Sequence, residues 1–205
     1  MNAEELTTNP AADNSADEKN EKLAGKKIAI LVTDGFEQDE MTEPRQALED
    51  AGAETVLIAS SDKKVKGWKF TKWGKSFKAD MLVADAQPDD FDGLLLPGGV
   101  MNPDKLRANA TAVAFVKSFC DAGKPIAAIC HGPIMLIEAD AVRGRRLTSY
   151  HSIKTDLVNA GADWVDEAAV TDGNLVTSRQ PDDLPQFNAA IIDLFAQEHH
   201  AAAVA

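Results

Sequence analysis

The sequence is short of cysteine, of tyrosine and of positive charge, and it contains no long apolar run. Two cysteines, Cys120 and Cys130, and one tyrosine, Tyr150, occur in 205 residues. Two cysteines with no C-x-x-C pair exclude a disulfide-rich scaffold and a structural zinc site of the usual kind, and in a reducing compartment they read as free thiols. No apolar stretch approaches the roughly 20 residues that a bilayer-spanning helix needs. The opening MNAEELTTNPAADNSADEKNEK lacks the basic and apolar regions of a secretory signal, so the expected location is cytoplasmic, with no membrane partner. Lysine and arginine number 21 against 33 aspartates and glutamates, a net charge of −12. A surface of that sign repels phosphate backbones and disfavours nucleic acid as a primary partner; modified bases or nucleotides remain open as small substrates.

What is present is an ordinary globular composition, 44% hydrophobic and 26% charged, at a length that suits one well-buried domain. Residues 1–25 are polar and aperiodic and are expected to be a disordered acidic extension, with 26–198 a single domain and 199–205 a tail. From KKIAILVT (26–33) the pattern alternates between strands and helices: TEPRQALEDAG (42–52) helical, ETVLIAS (54–60) extended, DGLLLPGG (92–99) a strand into a glycine turn. ATAVAFVKSFCDAG (110–123) is helical, KPIAAI (124–129) a strand, the segment from Gly132 to about Ala141 helical, RRLTSY (145–150) extended, and SIKTDLVNAG (152–161) helical. Asp172-Gly173 among β-formers predicts a hairpin over 166–179, and 182–198 is a closing amphipathic helix. Three helices end in EDAG, CDAG and VNAG, each on the residue that leaves a helix through the left-handed conformation most easily. This alternation predicts an α/β fold with a mostly parallel sheet. The segment KVKGWKFTKWGKSFKAD (64–80) interrupts it and reads as an antiparallel excursion with its aromatics packed inward; single-stranded nucleic acid binding is the less favoured reading.

Ligands of parallel sheets bind at the carboxyl ends of the strands. Cys130 falls at such an end in AAICHGP (127–133), where Gly132 allows a sharp turn and Pro133 suits a helix start. A thiol so placed is expected to feel the helix dipole and to have a lowered pKa, whereas Cys120, inside a helical stripe, reads as structural. His131 is the natural base beside Cys130. Glu37, in the turn after the first strand, is a carboxylate that can share a proton with the thiol. Gly98 and Gly99 follow another strand, and their backbone N–H groups, with that of His131, can hold an oxyanion.

Five stretches, KIAILVTDGFEQDE, LLLPGG, AAICHGP, LTSYHSIKTDLVNAGADWVD and VTSRQPDDLPQF, resemble in order those of the PfpI family, also called intracellular protease I or general stress protein, within the class I glutamine amidotransferase-like superfamily that includes the protein deglycases. The resemblance implies a flavodoxin-like three-layer α/β sandwich with a nucleophile elbow. It carries the nucleophile onto Cys130, the adjoining histidine onto His131, the acid bonded to the thiol onto Glu37 and the oxyanion glycine onto Gly99, with Gly98, Tyr150, His151 and Arg179 around them. In the protease-like members a neighbouring subunit supplies the acid of a Cys-His-acid triad. Asp104 matches that acid but is one methylene shorter than the founding protease's glutamate. The resemblance therefore implies a homo-oligomer, a dimer at least and a hexamer in some relatives. His151 stands where proline is common and is expected to have no role of its own. The acidic extension has no counterpart.

The leading reading of function is a cofactor-free, cysteine-dependent stress-protection enzyme. Its substrates would be glyoxal, methylglyoxal or their adducts on amines and thiols, with His131 and Glu37 moving protons. The alternatives are an intracellular cysteine peptidase using Cys130, His131 and Asp104, or a non-enzymatic oxidative-stress sensor or chaperone working through oxidation of Cys130. A zinc site from Cys130, His131 and Glu37 is disfavoured, because adjacent residues rarely reach one tetrahedral ion.

Overall fold

The computed structural model describes residues 21–197. Along the chain lie β1 (Lys27–Val32), α1 (Gln38–Asp50), β2 (Glu54–Ala59), β3 (Lys64–Lys69), β4 (Lys72–Lys78), β5 (Met81–Leu82) and β6 (Gly93–Leu96). There follow α2 (Met101–Leu106), α3 (Ala110–Asp121), β7 (Ile126–Ile129), α4 (Ile134–Glu138), β8 (Arg146–Leu147), α5 (Lys154–Asn159), β9 (Asp163–Trp164), β10 (Ala169–Asp172), β11 (Leu175–Ser178) and α6 (Leu184–Ala196). Seven strands form one sheet in the order β10-β11-β7-β6-β1-β2-β5, parallel throughout except for the antiparallel β10–β11 hairpin.

The short apolar strands are buried on both faces, as parallel strands between helices must be. In β1, Ala29 and Leu31 pack into the layer with Phe115, Phe119 and Leu136, while Ile28, Ile30 and Val32 pack into the opposite layer with Leu48, Phe187 and Phe195. The period-2 alternation thus sends one strand into two cores. This is the mostly parallel α/β sheet that the sequence pattern predicts, in the three-layer, flavodoxin-like sandwich that the family resemblance implies. The three helix-ending glycines, Gly52, Gly123 and Gly161, all have positive φ. Chain order along the sheet reverses between β1 and β6, and ligands of such sheets bind in the crevice opened there.

Several boundaries differ from the sequence reading. Order begins before residue 26: Leu23 is fully buried in the α1/α6 layer, its N–H bonds the Ala51 carbonyl at 2.8 Å, and Lys22 pairs with Asp193. Residues 21–25 are therefore part of the domain; 1–20 and 198–205, the bulk of the expected extension and tail, lie outside the described residues. Helix α1 starts at Gln38 rather than 42, with Pro44 in its interior. Helix α4 is only five residues long, and the extended stretch after it narrows to Arg146–Leu147. The excursion at 64–80 is the β3–β4 hairpin. Its aromatics do not all pack inward: Phe77 contacts Phe36 in the core, whereas Phe70 is 64% and Trp73 45% exposed. No helix among the described residues is long and apolar enough to cross a membrane.

Candidate functional site

Strand β7 delivers Cys130 to a turn that the rest of the fold holds in place. The residue has φ +62, a left-handed conformation that costs a side-chain-bearing residue about 1–3 kcal/mol and persists only where its surroundings impose it. Those surroundings are hydrogen bonds: Cys130 N–H to the Ser178 carbonyl at 2.9 Å, Tyr150 N–H to the Cys130 carbonyl at 2.9 Å, and Gly132 N–H to the Ile129 carbonyl at 2.8 Å. Glycine is obligatory at 132, where an added Cβ would come within 2.4 Å of the Leu96 carbonyl oxygen.

Above the cysteine, the turn after β6 is drawn close. A Cβ on Gly98 would lie 2.7 Å from Cys130 Cβ and from Glu40 Oε2. Asn102, fully buried, braces this turn to the end of β1: its amide donates to the Pro97 carbonyl at 2.9 Å, and its Oδ1 accepts the Thr33 N–H at 2.7 Å.

The carboxyl group set against the thiol is that of Glu40, which corrects the assignment of Glu37. Glu40 is fully buried, accepts the Gly98 N–H at 3.0 Å and lies against the Cys130 side chain. Burial raises its pKa to about 8; the thiol contact and the Gly98 N–H pull the other way. The Cys130 thiol is also held well above its ordinary value, by burial first and by Glu40 next, while the Gly99 and His131 N–H groups lower it. The expected dipole-lowered thiol is thus corrected as well: the residue is only 7% exposed, and a five-residue helix α4 does not offset that burial. Thiol and carboxyl form one coupled acid pair, and burial disfavours the charged form of each.

His131 faces the thiol, with Nδ1 3.2 Å from Cys130 Sγ and Nε2 3.1 Å from Ser152 Oγ. Burial and the neighbouring His151 lower its pKa, so the imidazole is neutral and free to accept a proton. Tyr150 stacks on it with centroids 5.0 Å apart, and His151 tilts against Tyr150 from outside. The backbone N–H groups of Gly99 and His131 lie beside the thiol and favour its charged form.

Two expected residues stand apart from this cluster. Asp104, on α2, is exposed and pairs with Arg107 at 2.8 Å, while Ser152 occupies the far nitrogen of His131. Arg179 is bound to Asp183 and Asp166 and does not line the cavity over Cys130. Glu37 lines the cavity but contacts the β3–β4 hairpin, its Oε2 accepting the Phe70 N–H at 3.3 Å. Glu40, Asn102 and Ser152 were missed. For Glu40 a signal exists: with helix α1 begun at 38, it shares the face of Pro44 and Leu48 at i, i+4 and i+8.

The cavity over Sγ has a volume of about 760 Å³, within the range of small-molecule sites. Trp68, Phe70 and Trp73 form one wall, and Val100, Met101, Tyr150 and Pro181 complete it. Among the described residues no group of three or more His, Cys, Asp or Glu is placed to hold a metal ion.

A parallel α/β sandwich with a left-handed cysteine at the elbow after an inner strand defines the class to which this chain is similar. Residues 26–194 match the DJ-1/PfpI family, and the chain belongs to that family. It is 49% identical over 166 residues to General stress protein 18 of Bacillus subtilis, covering 80% of this chain and 94% of the relative. It is 46% identical over 171 residues to Protein/nucleic acid deglycase 2 of Escherichia coli (82% and 97% covered), and 46% over 170 residues to the Putative cysteine protease YraA of B. subtilis (82% and 98%). A crystal structure of a two-domain protein with DJ-1/ThiJ/PfpI-like and ferritin-like domains from Anabaena variabilis superposes with a TM-score of 0.77 at 44% identity. The match covers 82% of this chain and 47% of that one.

Proposed function

We propose that this protein is a cysteine-dependent stress-protection enzyme that acts on reactive carbonyls, glyoxal and methylglyoxal or their adducts on amines, with Cys130 as nucleophile. The observation that carries the reading is the combination at one atom: a thiol held on a strained elbow, opening into a cavity, beside one buried carboxyl group and 3.2 Å from one imidazole nitrogen. His131 Nδ1 takes the thiol proton as Sγ bonds to the aldehyde carbon. The carbonyl electron pair moves to oxygen, toward the Gly99 and His131 N–H groups. That oxygen takes the proton back from His131, leaving a hemithioacetal and a free imidazole; His131 and Glu40 then move a proton from the sulfur-bearing carbon to its neighbour, giving a thioester, and water cleaves the C–S bond to release the acid and restore the thiol. For methylglyoxal the balance is one water added and one lactate formed; for an amine adduct, the amine leaves as well. No cofactor enters the balance. A stress role and a deglycase activity are what two relatives are named for.

Lactate formation from methylglyoxal by freshly reduced protein is the test. Cys130→Ala falls to the uncatalysed background, and Glu40→Gln loses about a hundredfold in kcat. Full turnover by Cys130→Ala overturns the proposal.

The contact between Sγ and His131 Nδ1 also favours, second, a cysteine peptidase, the activity for which a relative is named. That reading needs Asp104 from a partner subunit in a homo-oligomer, because within one chain Asp104 is engaged by Arg107. Peptide cleavage surviving Asp104→Ala removes the triad. The oxidation-sensor reading ranks below both: burial and a raised pKa leave little of the thiolate that peroxide attacks.

A further inference from the structure

The cavity over Cys130 has an acidic, aromatic half that the carbonyl chemistry leaves unused. The β3–β4 hairpin is stitched to the turn after β1: Gly35 N–H to the Lys66 carbonyl at 2.9 Å, Trp68 N–H to the Phe36 carbonyl at 2.7 Å, and Phe70 N–H to Glu37 Oε2 at 3.3 Å. That stitching brings Glu37 and the rings of Trp68, Phe70 and Trp73 to one wall of the same cavity. Glu37 is 8% exposed, and its Oε1 is buried with no hydrogen-bond partner among the described residues. A buried carboxylate oxygen lacking a donor is costly, and a ligand donor relieves that cost.

The surrounding charge favours one sign of ligand. The ionisable carboxyl groups lining the cavity are Glu37, Glu40 and Asp182, and no lysine or arginine lines it. The nearby Lys69 is engaged by Asp39 at 3.2 Å. Trp68 and Trp73 meet edge to face at 5.4 Å, and the Lys66 ammonium sits 5.5 Å over the Trp73 ring, so the Trp73 indole accepts a cation in this fold. A three-carbon dicarbonyl leaves most of a cavity of about 760 Å³ empty, and an alkyl chain bearing a cation fills more of it.

We propose that Glu37, Trp68, Phe70 and Trp73 form a subsite for the cationic end of the substrate, an ammonium or guanidinium group carried on the same molecule as the carbonyl-derived centre presented to Cys130. The proposal rests on Cys130 as the reacting group only for the second half of that statement. It names cationic amine adducts as the substrate class and disfavours phosphate-bearing adducts and acidic thiol adducts, which would face Glu37 and Asp182 in a cavity that no lysine or arginine lines.

Binding without turnover tests it. The reduced full chain is titrated with butylguanidinium, with neutral butylurea and with butyrate, followed by calorimetry and tryptophan fluorescence. Butylguanidinium is expected to bind at least about tenfold more tightly than butylurea, with butyrate weakest. Glu37→Gln is expected to bring guanidinium and urea to within about twofold of each other. Trp73→Leu, at an exposed position, weakens guanidinium by about three- to tenfold and carries the test if Glu37→Gln fails to fold by circular dichroism. Equal binding of urea and guanidinium by the wild type, or discrimination unchanged in a folded Glu37→Gln, overturns the subsite. N-acetylarginine methylamide identifies the source: binding comparable to butylguanidinium supports the subsite with side chains of peptides and proteins, and binding of the alkyl cation alone supports it with free amines. Since no readout involves turnover, absence of lactate formation would defeat the carbonyl reading and leave this one standing, and loss of cation selectivity would do the reverse.

Discussion

At the scale of single residues, the site is organised around a carboxyl group that the fold prevents from ionising. Burial lifts Glu40 from its ordinary 4.5 to about 8, while the unfolded chain titrates it near the ordinary value. The stability it contributes is fully present below pH 4.5 and is lost as pH rises to about 8, because over that range only the unfolded chain releases the proton. His131 acts oppositely: with its pKa lowered from 6.5, its contribution is present above that value and is lost as pH falls below it. The difference between wild type and Glu40→Gln isolates the carboxyl. Between pH 5 and 8.5 the wild-type Tm is expected to fall by at least about 5 °C more than that of Glu40→Gln. Parallel Tm curves would place an ionised carboxylate beside the thiol instead. Cys130 itself was legible from residues alone, because an apolar run ending in Cys-His-Gly-Pro is a strand aimed at a turn. Glu40 was not: Pro44 reads naturally as a helix start, and only with the proline inside a longer helix does residue 40 swing onto the buried face.

At the scale of elements, two turns carry the geometry, and each has its own vulnerable position. Gly132→Ala places a methyl group 2.4 Å from the Leu96 carbonyl oxygen, between two strands that cannot part without breaking the sheet. We expect a loss of about 3 kcal/mol or more, read as a lower denaturation midpoint with unchanged m. Gln38 ties the hairpin down from below, its buried Oε1 accepting the Lys75 N–H at 2.7 Å. Gln38→Ala is expected to cost about 1–2 kcal/mol and to speed amide exchange at Lys75, with strands β6 and β7 unaffected. Strand and helix order was readable because both follow from the period of the apolar residues. The outward-facing aromatics of the hairpin were not, since a lysine–aromatic alternation looks the same whether its rings fill a core or border a cavity. What separates the two is the backbone at Phe70, where φ is +55 and no sequence rule places a phenylalanine.

For the whole molecule, the distribution of the reacting groups sets the expected dependence on association. Cys130, Glu40, His131 and the Gly99 N–H all come from one chain. Specific activity toward carbonyl substrates is therefore expected to stay constant on dilution, through any dissociation detected by sedimentation velocity. A triad completed by a partner's acid would lose peptidase activity over the same range. A net charge of −12 adds a second expectation: kcat/KM for cationic adducts falls between 20 and 300 mM salt by about two- to tenfold, while that for neutral methylglyoxal does not change.

The attachment of the hairpin has a consequence for descent as well as for chemistry. Residues 60–80 leave the sheet after β2 and return to it at β5, meeting the thiol's half of the molecule chiefly through the turn after β1 and the side chain of Gln38. The aromatic part of the proposed recognition wall is therefore inherited on a separate stretch of chain from the proposed reacting groups, while Glu37 travels with Glu40. A lineage can exchange the hairpin and acquire a new clientele while the elbow, the buried carboxyl and the imidazole pass on unaltered.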